Sequence, residues 1–115
     1  VSAPFHCSLL QPAADAMARA FETTAMGAPI LPLVSNVTAA PVADPEEIKQ
    51  LLVRQVTATV RWRECVLAMR EHDVDELVEI GCGKVLSGML KRIDRDMTAR
   101  NIETPEDIEA FLKSL

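Results

Sequence analysis

His6 is the residue in this chain best placed to do chemistry. It sits near the end of a short Pro-stiffened run, Val1-Ser2-Ala3-Pro4-Phe5-His6-Cys7, that opens directly onto an amphipathic stretch. Imidazole titrates near pH 6.5 and accepts a hydroxyl proton readily, and a positioned transfer of that kind contributes about 10²- to 10⁴-fold. A base of this type needs a nucleophile to activate, and no G-x-S-x-G elbow occurs in the 115 residues. A histidine that caps or hydrogen-bonds the following helix is the competing role, and residue types alone leave both open.

The other reactive side chains read more plainly. Cys7 adjoins His6, so in an extended segment the two point apart and do not make a nucleophile pair; it reads as a small buried thiol. His72, beside Asp73 at the end of a helical pattern, reads as a surface residue. Gly81-Cys82-Gly83-Lys84-Val85-Leu86-Ser87-Gly88 looks like a phosphate loop, but the spacing fits neither the dinucleotide fingerprint nor the Walker A motif. It reads as a tight strand-to-helix turn, whose helix N-terminus would still favour a nearby anion. Arg54, Arg61, Arg63, Lys84, Lys91 and Arg92 would form a basic patch if they converged, with scattered solvated charges as the default. Cys7, Cys65 and Cys82 have neither C-x-x-C nor zinc-ligand spacing, so no metal site is expected and the thiols read as reduced, in a cytoplasmic protein.

Composition narrows the classes further. A net charge of −5 argues against nucleic-acid binding, which needs a basic field. No apolar run reaches the length of a membrane span, and no signal-peptide pattern is present. The start at Val1 is not an initiator Met, and implies a fragment or a partial chain.

These residues must be positioned by an alternation of helices and strands. Apolar Leu9, Leu10, Ala13, Met17, Ala20 and Phe21 recur at helical spacing from Ser8 to about Thr24, with Ser8 as N-cap and Pro12 in or near the first turn. Ile30 to Val37 reads as a short buried strand, with Pro32 at its start or edge. Residues 38–42 read as loop. Asp44-Pro45-Glu46-Glu47 opens a helix that runs to Gln55. A joint at residues 58–61 precedes a helix from Trp62 to about His72. Asp75 to Ile80 reads as a second strand, Lys84 to about Asp94 as a helix, and Thr104-Pro105 opens a last one. Strands separated by helices imply an α/β arrangement with parallel pairing. Two strands do not make a stable two-faced sheet, a second sign that the chain belongs to something larger.

Four blocks in order, V-S-A-P-F-H-C-S-L-L-Q-P-A-A at 1–14, P-L-V-S-N-V-T at 32–38, L-L-V-R-Q at 51–55 with V-R-W at 60–62, and V-E-I-G-C-G-K-V-L-S-G-M-L-K-R-I at 78–93, cover nearly the whole chain. Together they resemble the malonyl-CoA:acyl carrier protein transacylases of fatty-acid synthesis and the acyltransferase domains of polyketide synthases. The resemblance implies that residues 1–115 are the C-terminal segment of an α/β-hydrolase-like large subdomain, about two parallel strands with flanking helices. The serine elbow and a small ferredoxin-like subdomain would lie outside the chain. It implies malonyl transfer from malonyl-CoA to the phosphopantetheine thiol of acyl carrier protein through a seryl ester, with the N-terminal serine-bearing part of the enzyme as a further partner. The substrates, CoA and holo-carrier protein, carry the phosphopantetheine, and no other cofactor is implied.

By the same resemblance His6 matches the base that takes the serine proton. Gln55 matches the residue whose main-chain carbonyl orients that histidine, and Phe5 matches a substrate-pocket position associated with malonyl over methylmalonyl. Cys82 departs from the family, which commonly has proline there. The alternatives are an inactive acyltransferase-like module that docks carrier protein or serves as scaffold, and a hydrolase fragment of the same general fold. Isolated, the 115 residues are expected not to turn over.

Overall fold

The computed structural model describes residues 3–115; Val1 and Ser2, the first two residues of the histidine loop, lie outside the described residues. The chain divides into two units, Val1–Ala68 and Met69–Leu115, with the boundary inside one helix.

In the first unit a 3₁₀ turn, Ser8–Leu10, leads into α1, Gln11–Thr23. The helix therefore starts three residues later than the periodicity implied, and neither the turn nor α1 has a side-chain N-cap, so Ser8 does not cap it. Pro12 sits in the first helical turn, where its missing N–H costs nothing. The expected buried strand Ile30–Val37 contracts to β1, Leu33–Ser35, and Ile30 is wholly exposed. The expected loop after it contains a strand, β2 at Ala40–Val42, which pairs antiparallel with β1 in the register Leu33↔Val42 and Ser35↔Ala40. Four residues, 36–39, turn the hairpin. The Ser35 hydroxyl accepts from the Val37 N–H, and the Ala39 N–H donates to the Ser35 carbonyl at 2.8 Å.

Helix α2, Pro45–Gln55, forms as its opening sequence requires. The Asp44 carboxylate accepts from the Glu47 N–H at 2.9 Å, Pro45 takes the first position, and Glu46 and Glu47 face the positive end of the helix dipole. Its inner face places Ile48 and Leu51 against Val42 of β2, with Met26, Val37 and Leu52 around them. This small aliphatic core fixes α2 on the hairpin. Helix α3, Trp62–Glu71, follows and buries Cys65 and Val66.

The second unit is a strand–helix–strand crossover: β3 at Glu76–Ile80, α4 at Val85–Ile93 and β4 at Thr98–Ile102, with α5 at Pro105–Lys113 after it. β3 and β4 pair in parallel from Glu76↔Thr98 to Ile80↔Ile102. The parallel pairing expected of an α/β chain is thus present, but between β3 and a strand the sequence did not disclose. Strands β1 and β3 lie in separate two-stranded sheets. Leu90 of α4 is almost wholly buried, with Met97 and Ile102 also inside. α5 opens with the capping box that Thr104 promised: its hydroxyl accepts from the Asp107 N–H, and Asp107 accepts in return from the Thr104 N–H. Arg100 stacks over Phe111 at 4.4 Å from the ring centre and faces Glu76 at 3.6 Å.

Candidate functional site

The histidine loop is held by its own short hydrogen bonds. The Phe5 N–H donates to the Ala3 carbonyl at 3.0 Å, and the Leu10 N–H to the Cys7 carbonyl at 3.0 Å. The Cys7 thiol donates to the Pro4 carbonyl at 3.5 Å, so it is engaged with the loop rather than with the histidine beside it. His6 itself adopts φ 54°, in the left-handed region where a non-glycine residue costs about 1–3 kcal/mol unless its surroundings enforce it.

The ring makes the contact that justifies this backbone. His6 Nδ1 lies 3.0 Å from the Gln55 carbonyl oxygen, 49 residues along the chain. A carbonyl only accepts, so Nδ1 is the donor in this contact, and in the neutral ring Nε2 then carries the lone pair. Both His6 and Phe5 are exposed, so that lone pair is open to a proton donor brought from elsewhere. Gln55 is the last residue of α2, and its carbonyl also accepts from the Ala58 N–H at 3.3 Å. The C-terminal end of a helix therefore faces the imidazole. The structure brings together His6 and Gln55, and Phe5 precedes His6 in the chain.

The glycine turn resolves in favour of its structural role. Gly81 and Gly83 have φ of 134° and 89°, which other residues rarely adopt. The Glu79 carboxylate reaches from β3 to the start of α4, accepting from the Leu86 N–H at 3.1 Å, the Ser87 N–H at 2.8 Å and the Ser87 hydroxyl at 2.6 Å. Glu103 accepts from the Gly83 N–H. The anion favoured at this helix N-terminus is thus the chain's own carboxylate. Residue spacing alone could not disclose that, because Glu79 belongs to a strand.

The Ser87 hydroxyl and then the backbone N–H groups of Ser87 and Leu86 hold the Glu79 carboxyl below the usual carboxylate range. A depressed folded value means stabilisation that is present above the ordinary carboxylate pKa, about 4.3, and lost as pH falls through the folded one. Thermal melts should show Glu79→Gln less stable than the parent at pH 7, with the gap closing below about pH 4. A gap that is independent of pH would deny the ionised carboxylate this role.

The basic residues divide between the two units. Arg54, Arg61 and Arg63 belong to the first unit, and Lys84, Lys91 and Arg92 to the second. Arg61 is engaged with Glu64 and the Val37 carbonyl. His72 is exposed just after α3. Among the described residues no helix is long and apolar enough to cross a membrane, and no group of three His, Cys, Asp or Glu side chains is arranged to hold a metal ion.

One unit is a parallel strand–helix–strand crossover, and the other a hairpin and helices in which a main-chain carbonyl meets a loop histidine; together these are elements of an α/β protein of the kind found in acyltransferases. No protein-family model matches the chain. The malonyl CoA-acyl carrier protein transacylase of Escherichia coli (strain K12) is 38% identical over 113 residues, 98% of this chain and 37% of that relative. The crystal structure of an acyl-carrier-protein-S-malonyltransferase from Bartonella henselae matches with a TM-score of 0.91 at 51% identity, covering 99% of this chain and 36% of that one. A malonyl-transacylase in complex with its type II polyketide synthase acyl-carrier protein matches with a TM-score of 0.89 at 38% identity, covering 100% and 37%. The chain belongs to the malonyl-CoA:acyl carrier protein transacylase family and has the fold of its C-terminal part. It spans about 37% of the length of the curated relatives it matches.

Proposed function

We propose that the polypeptide carrying this chain transfers malonyl from malonyl-CoA to the phosphopantetheine thiol of acyl carrier protein, and that this chain supplies the base. The observation that carries the reading is the 3.0 Å contact between His6 Nδ1 and the Gln55 carbonyl, which leaves Nε2 free to take a proton. The nucleophilic serine, in this reading, belongs to the N-terminal part of the same enzyme. Its hydroxyl gives its proton to His6 Nε2 as the oxygen attacks the thioester carbonyl. The C–S bond then breaks, and the imidazolium returns the proton to the departing CoA thiolate, leaving a malonyl-seryl ester. In the second half the carrier thiol gives its proton to Nε2 and attacks the ester, and the serine oxygen regains the proton as it leaves. No resident cofactor enters, because both substrates bring their own phosphopantetheine. A cytoplasmic location is part of this reading.

The family membership and the solved transacylase–carrier complex support the carrier protein as acceptor. The direct test incubates the complete polypeptide with malonyl-CoA and holo-carrier protein and follows the carrier by mass spectrometry. Malonyl-carrier is expected, and none from the 115 residues alone. Malonate released to water without carrier loading would instead favour a hydrolase, and no reaction at all a docking or structural module.

Phe5 would set selectivity, since a ring beside the base crowds a 2-methyl branch. Phe5→Ser should lower the ratio of kcat/KM for malonyl-CoA over methylmalonyl-CoA by about 10-fold or more, the scale on which a pocket discriminates one methyl. An unchanged ratio would remove Phe5 from the acyl pocket.

A further inference from the structure

The acceptor that orients His6 is a main-chain carbonyl, so its direction is set by the backbone that follows Gln55. That backbone is loosely bonded at first. Val56, Thr57 and Ala58 donate to the carbonyls of Val53, Arg54 and Gln55 at 3.2, 3.3 and 3.3 Å, near the long end for N–H···O bonds. Residues 59 and 60 make no regular structure. The first tight anchor is Arg61. Its backbone N–H donates to the Asn36 side-chain oxygen at 3.0 Å, and its Nη1 donates to the Val37 carbonyl at 3.1 Å. Nε and Nη2 grip both Glu64 oxygens at 3.0 and 2.8 Å, a planar fork that lysine does not reproduce. Asn36 and Val37 lie in the hairpin turn after β1, and Val37 packs on the core that seats α2. The segment carrying the Gln55 carbonyl is thus strung between two fixed points, α2 on the core and Arg61 on the hairpin turn.

Resting on the functional reading above, we infer that Arg61, clamped by Asn36, is a positioning residue for the base: it fixes the turn that aims the Gln55 carbonyl at His6 Nδ1. It acts on the reaction only through that carbonyl. Misplacing a catalytic group by about 1 Å costs on the order of 100-fold.

The experiment compares Asn36→Ala, Asn36→Asp and Arg61→Gln in the complete polypeptide, with kcat expressed per folded molecule. Asn36→Asp keeps an acceptor for the Arg61 N–H and should stay near the parent. Asn36→Ala and Arg61→Gln should lose about 10- to 100-fold in kcat with KM for malonyl-CoA little changed, the pattern of a lost transition-state interaction. A second readout does not depend on the reaction. Long-range ¹H–¹⁵N NMR of His6 should show the Nδ1–H tautomer in the parent and Asn36→Asp, and a mixture with Nε2–H in the other two. Unchanged tautomers, or a loss in Asn36→Ala that Asn36→Asp shares, would overturn the clamp. A parent that transfers no malonyl while the tautomers shift as described would sink the functional reading and leave the clamp standing.

Discussion

Replacing His6 by Ala in the complete polypeptide should lower the rate of malonyl transfer by about 10²- to 10⁴-fold, the range that a positioned general base supplies. Three features of the chain converge on that number. The ring is held by one nitrogen, at 3.0 Å from the Gln55 carbonyl, so that in the neutral ring the other nitrogen is the acceptor. Its left-handed backbone is of a kind that persists only where the surroundings demand it. The C-terminal end of α2, where Gln55 sits, faces the ring. The matching control is Gln55→Ala, which keeps the carbonyl and should stay within a few-fold of the parent. Steady-state rates for both variants separate the roles. A His6→Ala enzyme at parental rate would remove histidine as the base, and a Gln55→Ala enzyme as impaired as His6→Ala would mean the side chain had been doing the carbonyl's work.

Leu90→Ala should destabilise the protein by about 2–5 kcal/mol, the cost of emptying a buried leucine site that relaxes only in part. Leu90 is 1% exposed on α4, which packs on β3 and β4. It is the most deeply buried residue of the helix that crosses between them. Against a total stability of about 5–15 kcal/mol the loss is large. Denaturant midpoints would read it directly, and Leu90→Met, which conserves volume, should cost less than about 1.5 kcal/mol. Equal midpoints for Leu90→Ala and the parent would mean the side chain contributes nothing to the folded state.

Much of this was legible in residue order. The caps at Asp44 and Thr104 announced α2 and α5 because their chemistry is local. The alternation of apolar runs with helical periods announced an α/β chain. The two strands that were missed carry almost no apolar signal. β2 is Ala40-Pro41-Val42, with a proline that ordinarily argues against a strand and is tolerated here in a three-residue hairpin arm. β4 is Thr98-Ala99-Arg100-Asn101-Ile102, polar along most of its length, and its pairing comes from β3 rather than from its own composition. Of the site, His6 stood out by type and setting, with its two possible roles left open. Its partner could not stand out, since a main-chain carbonyl leaves no mark on residue identity; Gln55 was reached through family resemblance alone. Glu79 was hidden for a related reason: its partners begin seven residues on, across a turn whose glycines set the geometry.

The most direct test of the central claim is a single-turnover experiment without acceptor. The complete polypeptide is mixed with malonyl-CoA alone, quenched and weighed intact, then mixed again with holo-carrier protein. One malonyl group per molecule, bound in the first step and passed to the carrier in the second, is the predicted result, with both steps slowed in His6→Ala. Carrier loading with no malonyl-enzyme formed on the way, or a malonyl-enzyme that forms and discharges equally well without His6, would contradict it.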